Sequence, residues 1–348
     1  MAQDRPALVT GGAGFIGANL ANRLAAEGQD VIVYDSLARP GVELNLDWLR
    51  ARHGARIRAV IADINDEATL RRAVAEAGVV FHFAAQVAVT TSMQAPLADF
   101  TTNLRGTFAL LEAVRLRPEP VPVLFASTNK VYGDLADIAL ERVGEAYVPA
   151  DAALRARGIP ETRRLDFHTP YGCSKGAADQ YVLDYARSFG IPTAVFRMSC
   201  IYGPRQRGTE DQGWVAHFLL RALARRPISL YGDGCQVRDV LFVEDAVAAY
   251  LAAWRRIGEV SGTAFNLGGG PANAVSLLQV IRVIEEILGR RIEVQHGAWR
   301  AGDQRYYVSD TGLARKRLGL PEPKPWREGL RALADWMQQE RVAAEAIS

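Results

Sequence analysis

The chain has 348 residues, of which 49% are hydrophobic and 23% are charged, and its formal net charge is +2 at pH 7. A soluble chain of this size can bury a large core in two domains, or in one elaborated α/β domain. The charges are mixed and form no long basic run, so we expect neither a nucleic-acid partner nor a membrane partner.

The cysteine pattern and the N-terminal residues bear on the compartment. Cys173, Cys200 and Cys235 are widely and irregularly spaced, which fits neither a disulfide framework nor a Cys/His metal site. The N-terminal residues contain no apolar signal core, and no stretch approaches about 20 uninterrupted apolar residues. We therefore expect a cytoplasmic protein with reduced thiols and no bound metal.

The first predicted element is a short buried strand, Ala7 to Thr10, which leads into Gly11, Gly14 and Gly17 and then an amphipathic helix. Glycines at this spacing allow a tight turn, a close approach of the backbone to a pyrophosphate, and close packing of helix on strand. Taken alone, the same residues would also fit a plain glycine-rich turn, so the neighbouring elements must decide.

A second predicted strand, Val31 to Tyr34, ends in Asp35. An acidic residue at this place can bind a ribose 2′-hydroxyl and repels a 2′-phosphate, so NAD is favoured over NADP. Arg39 lies nearby, so NADP remains an alternative cofactor. For Asp35 itself, the alternative to a ribose contact is a loop-capping role.

Further strands are predicted at residues 57–61, 79–85, 121–127 and 193–198, with helical stretches between them. This alternation indicates a doubly wound parallel sheet, the Rossmann type of α/β fold. The helical stretches that begin near Asn103 and follow Lys175 have apolar residues at packing intervals. These faces are most simply core contacts, and a contact between subunits is the second hypothesis.

The regular pattern dissolves between residues 135 and 167, where we expect a long loop that covers the substrate side. Beyond Ser199 the alternation of strands and helices weakens, which suggests a second domain. We predict a nucleotide-binding domain of residues 1–198 and 237–258, and a smaller α/β substrate domain of residues 199–236 and 259–342.

Tyr171 and Lys175 are four residues apart, so a helix that begins near Pro170 would place them on one face. A tyrosine with its usual pKa of about 10 is a poor base at neutral pH, and a nearby ammonium favours the phenolate. Lowering that pKa to about 7 requires about 4 kcal/mol. The pattern indicates an acid–base pair, and an ordinary surface pair is the alternative.

Five motifs together carry a resemblance. They are Thr10-Gly-Gly-Ala-Gly-Phe-Ile-Gly17, Phe81-His-Phe-Ala-Ala-Gln86, Ser127-Thr-Asn-Lys-Val-Tyr-Gly133, Tyr171-x-x-x-Lys175, and Phe196-Arg with Tyr202-Gly-Pro. In this order they resemble the extended short-chain dehydrogenase/reductase family of nucleotide-sugar epimerases and dehydratases, over nearly the whole chain. The resemblance implies NAD as cofactor and a nucleotide sugar as substrate.

The resemblance also implies residue roles. Tyr171 would be the general base and acid, Lys175 would bind the nicotinamide ribose and lower the Tyr171 pKa, and Thr128 would hydrogen-bond the reacting hydroxyl. The implied cofactor-binding residues are Gly11, Gly14, Phe15, Ile16, Gly17, Asp35, Arg39, Asp63, Ile64, Ala84, Ala85, Gln86, Asn103, Tyr171 and Lys175. The implied substrate-binding residues are Thr128, Asn129, Lys130, His168, Gln212, Trp214, Arg238 and Arg300.

Several of these assignments leave alternatives open. Arg238 and Arg300 suit a diphosphate because a guanidinium can bind phosphate oxygens in pairs, but either could form a surface ion pair. Trp214 would stack on a base or pack in the core. His168 would serve mainly to position its neighbours.

The triplet from Thr128 to Lys130 separates two chemistries of the family. The 4,6-dehydratases carry Thr-Asp-Glu there, whereas Asn129 cannot act as a general acid and Lys130 replaces a carboxyl with a cation. Dehydration is therefore disfavoured. For Lys130, a substrate contact and a solvated or salt-bridged lysine are equally open.

A narrower resemblance concerns the reaction. Four stretches are similar to the CDP-paratose 2-epimerase subgroup: Ser127 to Leu135, Leu165 to Tyr181, Asp211 to Trp214, and Gln236 to Val240. This implies inversion at C2 of a CDP-linked hexose through a transient 2-keto sugar, with the hydride returned to the opposite face. A UDP-sugar 4-epimerase and a non-catalytic NAD-binding scaffold or redox sensor are the alternatives. We expect a homodimer or homotetramer.

Overall fold

The structure is a computed structural model and describes residues 5–300 and 302–347. The strands are β1 (Ala7–Thr10), β2 (Val31–Asp35), β3 (Ile57–Ile61), β4 (Val79–His82), β5 (Val123–Thr128), β6 (Leu140–Val143), β7 (Ala146–Pro149), β8 (Thr193–Met198), β9 (Cys200–Tyr202), β10 (Ile228–Tyr231), β11 (Val237–Phe242), β12 (Thr263–Leu267), β13 (Ala274–Ser276), β14 (Val294–Gly297) and β15 (Tyr306–Tyr307). No helix in these residues is long and apolar enough to cross a membrane.

The helices flank these strands along the whole chain. They are α1 (Phe15–Ala26), α2 (Val42–His53), α3 (Glu67–Glu76), α4 (Val89–Gln94), α5 (Pro96–Phe100), α6 (Gly106–Arg115), α7 (Ala152–Arg157), α8 (Thr169–Phe189), α9 (Trp214–Leu223), α10 (Val243–Arg255), α11 (Ile257–Val260), α12 (Leu277–Leu288), α13 (Gly312–Leu318) and α14 (Trp326–Ile347). Turns of 3₁₀ helix lie at Gly54–Arg56, Asn129–Tyr132 and Pro271–Asn273, and a π-helical turn, Thr101–Arg105, precedes α6.

A parallel sheet of seven strands forms the centre of the fold, in the order β12-β8-β5-β4-β1-β2-β3. Its inner strands are buried on both faces, as in β1, where Ala7, Leu8 and Val9 have no exposed surface. Near-continuous apolar strands of this kind require helices on both faces of the sheet. The predicted doubly wound parallel sheet is confirmed.

Helices cover both faces of this sheet through apolar side chains. On one face, Leu20 of α1 and Tyr250 of α10 belong to a single buried cluster with the sheet. On the other face, Leu70 of α3, Leu110 of α6 and Val182 of α8 form a second cluster. Two separate cores therefore hold the sheet between layers of helices.

The strand order reverses between β1 and β4. The sheet extends from β1 through β2 to β3 in one direction, and from β4 through β5 and β8 to β12 in the other. In open α/β sheets, ligands bind in the crevice outside the carboxyl ends of the strands at such a reversal. The fold therefore arranges the ends of β1, β2, β4 and β5 around one cleft.

The smaller part of the structure is built around β11. This strand pairs in parallel with β9 and β15 and antiparallel with β13, while β10 pairs with β14. Helices α9, α12 and α14 enclose a third core, which includes Phe218, Ile284 and Leu333.

The predicted domain limits require a correction at two strands. The prediction assigns residues 259–342 to the substrate domain, but β12 is an edge strand of the large sheet and pairs with β8 along its whole length. The prediction assigns β11 to the nucleotide-binding domain, but β11 pairs within the smaller sheet. Periodicity along the chain does not reveal these pairings because the partner strands are distant in sequence.

The sequence suggested a long loop between residues 135 and 167. The structure instead shows regular secondary structure in this segment. It contains the hairpin of β6 and β7 and the short helix α7. Tyr147 donates a hydrogen bond from its hydroxyl to Asp233 Oδ2 at 2.5 Å, and Ile159 N donates to Val308 O at 2.7 Å. The segment therefore packs against the smaller part of the structure.

A buried ion pair attaches helix α8 to the sheet. Arg197 on β8 donates from Nε to Asp179 Oδ2 and from Nη2 to Oδ1, each at 3.0 Å. Their side chains are only 6% and 0% exposed. Ser127 Oγ on β5 donates to the same carboxylate at 2.7 Å, and Arg197 Nη1 donates to the Tyr132 hydroxyl at 3.2 Å. Loss of either partner would leave the other charge buried without compensation.

We expect Arg197→Met to lower the free energy of unfolding by about 3–5 kcal/mol, because Asp179 would stay buried without its cation. Urea unfolding followed by circular dichroism measures this loss. Arg23→Met is the matched control, because Arg23 pairs with Glu27 at 2.6 Å on the surface of α1. Exposed pairs of this kind contribute about 0.5 kcal/mol. Equal losses in the two variants would contradict the structural role of the buried pair.

Candidate active site

The glycine turn between β1 and α1 forms one wall of the cleft. Gly11 has a left-handed φ of 67°, and a Cβ there would lie 2.7 Å from Ala84 N. A Cβ at Gly17 would lie 2.2 Å from the Gly11 carbonyl oxygen, so only glycine allows the helix to start so close to the turn. Helix α1 begins at Phe15 and Ile16, and no side chain caps it. Its N-terminal N–H groups and dipole favour an anionic group such as a diphosphate.

Asp35 stands at the end of β2, beside the glycine turn. Its carboxylate accepts hydrogen bonds from Ala13 N at 3.0 Å and from Leu37 N at 2.9 Å, which fixes its orientation. Arg39 lies on the exposed loop that follows. The carboxylate next to an uncapped helix start fits a dinucleotide with a free 2′-hydroxyl, as predicted for NAD.

The loop after β3 supports the same wall. Asp63 is exposed, and its Oδ1 accepts a hydrogen bond from Asn65 N at 2.8 Å. The Tyr34 hydroxyl donates to the Asp63 carbonyl oxygen at 2.7 Å. Ile64 is buried and packs against Gly106, where a Cβ would lie 2.8 Å from the Ile64 side chain. The structure therefore places both predicted residues at the carboxyl edge of the sheet.

The end of β4 forms the floor of the cleft. Ala84 N donates to Thr10 Oγ1 at 3.3 Å, and Ala85 and Gln86 follow in extended chain. Asn103 closes a pair of hydrogen bonds with the Gln86 backbone, accepting from Gln86 N at 2.9 Å and donating to Gln86 O at 3.0 Å. Asn103 lies in the π-helical turn, a distortion that is frequent at functional sites.

The structure brings together Tyr171, Lys175 and Thr128. Helix α8 begins at Thr169 and carries Tyr171 and Lys175 one turn apart, while Thr128 ends β5. The Thr128 side chain hydrogen-bonds the Tyr171 hydroxyl. Lys175 is 3% exposed, and its Nζ lies 4.2 Å from the centre of the Phe125 ring. The predicted acid–base pair therefore faces the predicted partner for the reacting hydroxyl.

Burial dominates the pKa values of Tyr171 and Lys175. It raises the Tyr171 pKa to about 12, the charge of Asp99 adds to the effect, and the hydrogen bond from Thr128 opposes it. Burial also lowers the Lys175 pKa to about 7, against the charges of Asp179 and Asp99. Desolvation therefore disfavours the charged form of each group, the phenolate of Tyr171 and the ammonium of Lys175.

Asn129 and Lys130 continue from Thr128 in a 3₁₀ turn. Lys130 N donates to Thr128 Oγ1 at 3.2 Å, and Asn129 Nδ2 donates to Gln304 Oε1 at 3.3 Å. Lys130 Nζ donates to Gly302 O at 3.2 Å, and burial lowers its pKa to about 8. The Lys130 side chain is therefore held against the loop at 302–304 while it stays 20% exposed, and both alternatives for its role remain predictions.

Arg238 and Arg300 pair with different acidic residues. Arg238 is 8% exposed and donates from Nη2 to Asp303 Oδ1 at 2.7 Å. Lys130 Nζ lies 4.0 Å from the same oxygen, so one carboxylate faces both cations. Arg300 donates to Glu210 Oε1 at 3.2 Å, and its guanidinium lies 3.9 Å from the centre of the Tyr231 ring. Both arginines are thus paired with carboxylates near the cleft.

The remaining predicted substrate residues occupy the rim. Trp214 begins α9 and donates from Nε1 to Cys200 Sγ at 3.2 Å, while its ring packs edge-on against Phe218. Gln212 forms a tight bridge with Thr209 in the preceding loop. His168 immediately precedes α8, is exposed, and lies 3.2 Å from Asp166 Oδ2. The sequence left stacking on a base or packing in the core open for Trp214, and its contact with Phe218 is of the packing kind.

Several residues near the site were missed by sequence reasoning. Asp99 and Ser174 form a buried hydrogen bond beside the catalytic pair, and Asp303 and Gln304 bind the turn after Thr128. Ser174 lies within the Tyr171–Lys175 interval, which is a signal that could have drawn attention to it. Asp99 has no such signal, because the Ser174 that links it to α8 lies 75 residues away in sequence.

We expect Gly17→Ala to abolish dinucleotide binding, since the new Cβ would lie 2.2 Å from the Gly11 carbonyl oxygen. The measurement is the NAD content of the purified protein, together with titration of the stripped protein by added NAD. Gly28→Ala is the control, because Gly28 has a φ of 93° but nothing within 4 Å of its Cβ. Normal NAD content in Gly17→Ala would mean that the turn tolerates a side chain.

Comparisons with known proteins agree with the motifs. The NAD dependent epimerase/dehydratase family matches residues 7–268. A CDP-paratose 2-epimerase of Salmonella typhi is 40% identical over 336 residues, which cover 94% of this chain and 98% of that protein. A dTDP-glucose 4,6-dehydratase of Xanthomonas campestris pv. campestris is 31% identical, with coverage of 98% of this chain and 95% of that protein.

Solved structures show the same fold. A UDP-glucose 4-epimerase from Thermotoga maritima, crystallised with UDP-glucose, has a TM-score of 0.82 and 31% identity, covering 96% of this chain and 99% of that chain. A UDP-glucuronic acid 4-epimerase from Bacillus cereus, in complex with UDP-glucuronic acid and NAD, has a TM-score of 0.82 and 26% identity, with the same coverage. The predicted cofactor, NAD, is confirmed. Matched over most of its length by the family and over nearly all of it by these relatives, the chain belongs to the NAD-dependent epimerase/dehydratase family.

Proposed function

We propose that this protein inverts C2 of a nucleotide-linked hexose and that the nucleotide is CDP. The observation that carries the proposal is the 40% identity to a CDP-paratose 2-epimerase over 336 residues. That identity exceeds the 31% shared with a dTDP-glucose 4,6-dehydratase and the 30% shared with a putative UDP-glucose 4-epimerase of Methanocaldococcus jannaschii.

The residues around Tyr171 can handle the proton of such a reaction. NAD, which the glycine turn and Asp35 would hold, would supply the acceptor and donor of a hydride. Tyr171 removes the proton of the sugar hydroxyl and later gives it back. Thr128, which hydrogen-bonds the Tyr171 side chain, orients the sugar hydroxyl beside it. Lys175 holds the ribose and supplies positive charge one turn along α8. Inversion follows when the transient ketone presents its opposite face, so no net oxidation occurs.

Asn129 and Lys130 favour epimerisation over dehydration. The amide of Asn129 cannot donate a proton as an acid, and it is held by Gln304. The amine of Lys130 is held by the Gly302 carbonyl oxygen. Neither residue supplies a carboxyl group for the loss of water, and epimerisation needs none.

Arg238 and Lys130 are the proposed contacts of the substrate diphosphate. Arg238 is buried and Lys130 is 20% exposed, and the two cations share the single carboxylate of Asp303. A diphosphate carries more negative charge than one carboxylate and matches the planar guanidinium fork. Arg300, at the rim with Glu210, would contact the outer part of the same nucleotide.

The sequence left two alternatives to this function. A UDP-sugar 4-epimerase would use the same Tyr171, Lys175 and Thr128, and the Thermotoga maritima enzyme of that activity shares the fold. A non-catalytic NAD-binding scaffold or redox sensor would have no use for these three residues in contact. The 4-epimerase therefore differs from the proposed function only in the sugar carbon that is inverted and in the nucleotide. The non-catalytic scaffold or sensor leaves the grouping of Tyr171, Lys175 and Thr128 unexplained.

Incubation with CDP-, UDP- and GDP-hexoses in deuterated buffer tests the proposal by NMR of the products. We expect inversion at C2 of a CDP-hexose without deuterium at C2, because a hydride held by the cofactor does not exchange with solvent. Inversion at C4 alone would contradict the C2 assignment. Substantial deuterium at C2 would instead indicate proton abstraction from carbon.

The matched control for this experiment removes one tyrosine hydroxyl at a time from the same helix. Tyr171→Phe should show no turnover above background while it keeps its NAD. Tyr181→Phe, at a tyrosine that is exposed on α8, should turn over normally. Turnover by Tyr171→Phe at the rate of the unchanged protein would remove the acid–base role.

We further propose a cytoplasmic homodimer formed through α5, α6 and α8. Four large apolar side chains, Leu97, Phe100, Phe108 and Phe189, are between 42% and 76% exposed on these helices. Phe108 also packs edge-on against the exposed Tyr181, with ring centres 5.7 Å apart. Apolar patches of this kind mark contacts between subunits, and a two-fold axis would pair the same surface of two copies. The three free cysteines fit a reducing compartment.

We expect Phe108→Glu to convert the dimer to a monomer, because it places a charge in the centre of the apolar surface. Sedimentation velocity measures the change in mass. Leu44→Glu is the control, since Leu44 is 49% exposed but lies on α2, at a different surface. If the protein without substitutions sediments as a monomer, the dimer proposal is wrong. If it sediments as a tetramer, a second contact between subunits is required.

A further inference from the structure

Asp99 is a fully buried carboxylate that no step proposed above uses. It lies in α5, just before the π-helical turn, and three side chains donate hydrogen bonds to it. Ser174 Oγ donates to Oδ2, while Gln86 Nε2 at 3.1 Å and Asn103 Nδ2 at 3.0 Å donate to Oδ1. A buried charge is retained only where its surroundings compensate it, so its presence beside the site requires an explanation.

Ser174 connects this carboxylate to the turn of α8 that carries the catalytic pair. The residue lies between Tyr171 and Lys175, and its Oγ is 3.2 Å from the Tyr171 carbonyl oxygen. The start of the helix is also held from α4, because Tyr171 N donates to Ser92 Oγ at 3.2 Å. Asp99 therefore contacts α8 at the one turn where both proposed catalytic side chains arise.

The charges around Lys175 come from three elements. Asp179 lies one turn further along α8, but its carboxylate is already paired with Arg197. His82 on β4 is neutral, since burial and the charge of Lys175 lower its pKa to about 3. Asp99, on α5, has no such arginine among the ion pairs of the described residues, and its charge interacts with that of Lys175. Among the described residues, Asp99 is thus a negative charge near the amine that is held by hydrogen bonds and not by an arginine.

We propose that Asp99 is a positioning residue of the active site, which fixes the first turns of α8 through Ser174 and whose negative charge keeps the Lys175 amine protonated. The proposal rests on the roles proposed above for Tyr171 and Lys175. A neutral hydrogen-bonding side chain could perform the first task but not the second. The two tasks can therefore be separated by experiment.

The sign of the electrostatic effect follows from the structure. Burial lowers the Lys175 pKa to about 7, and Asp99 opposes that decrease. Asp99 also raises the Tyr171 pKa, because a negative charge disfavours a phenolate. Removing the charge of Asp99 should therefore lower both pKa values. The pH range in which Lys175 is charged, and that in which Tyr171 can act as a base, should both move to lower pH.

The lysine content of the chain makes the test direct. The sequence contains only Lys130, Lys175, Lys316 and Lys324, so protein labelled with ¹³C at the lysine Cε should give four NMR signals. Lys175→Arg identifies the signal of Lys175 by its disappearance. Titration is carried out on the full chain with its NAD bound, and it requires no sugar substrate.

Asp99→Asn removes the charge and keeps the shape. Its Oδ1 can still accept from Gln86 and Asn103, and its Nδ2 can donate to Ser174 Oγ. We expect the Lys175 pKa to fall by about one unit, while those of Lys316 and Lys324 stay unchanged. The pH profile of turnover should move to lower pH by a similar amount. Ser174→Ala keeps the charge, so it should reduce turnover without moving the Lys175 pKa.

An unchanged Lys175 pKa in Asp99→Asn would overturn the proposal. Equal losses of turnover in Asp99→Asn and Ser174→Ala, with no displacement of the pH profile, would also overturn it and leave only a packing role. If Asp99→Asn does not fold, Asp99→Ser removes the charge with a smaller side chain and is read in the same way. Because the NMR titration involves no sugar, its outcome stays interpretable even if the proposed substrate is wrong.

Discussion

The bidentate pair of Arg197 and Asp179 is the interaction on which the geometry of the site depends. It joins β8 to α8 in a region without solvent, and Ser127 on β5 donates to the same carboxylate. Thr128 is the next residue along β5, and Lys175 lies one turn before Asp179 on α8. The pair that holds the helix on the sheet therefore also sets the distance between the proposed catalytic groups. In this protein the stability of the fold and the precision of the site share one hydrogen-bond network.

Burial of charge is the second constraint, and it acts differently on the two basic residue types. Of the 41 basic residues only four are lysines, so 41 − 4 = 37 are arginines. Two of those four lysines, Lys130 and Lys175, are in the candidate site, where burial lowers their pKa values to about 8 and about 7. An arginine would remain charged in the same surroundings, whereas a lysine amine can lose its proton. Both titratable cations of the site therefore lie where desolvation lowers their pKa values, and the nearby carboxylates oppose that decrease.

The side of the cleft that faces the substrate is assembled from segments that are distant in sequence. The turn after Thr128 is held by Gly302 and Gln304, and Asp303 pairs with Arg238 from β11. The nucleotide-binding half, by contrast, is built from consecutive strand–turn–helix units. Relatives that are named for different activities share this fold, so differences in substrate must come from the rim and the turn rather than from the sheet.

The sequence by itself determined the parallel sheet, the glycine turn, Asp35 and the pairing of Tyr171 with Lys175, because each depends on local periodicity or on residues a few positions apart. It did not reveal that β12 returns to the large sheet, that the segment from 135 to 167 is folded, or that Asp99 contacts Ser174. Those features depend on contacts between residues far apart in the chain, which no local pattern records. The burial that raises the Tyr171 pKa was also beyond the sequence, because the pKa of a buried group depends on which charges and how much solvent surround it, and only the tertiary structure sets those.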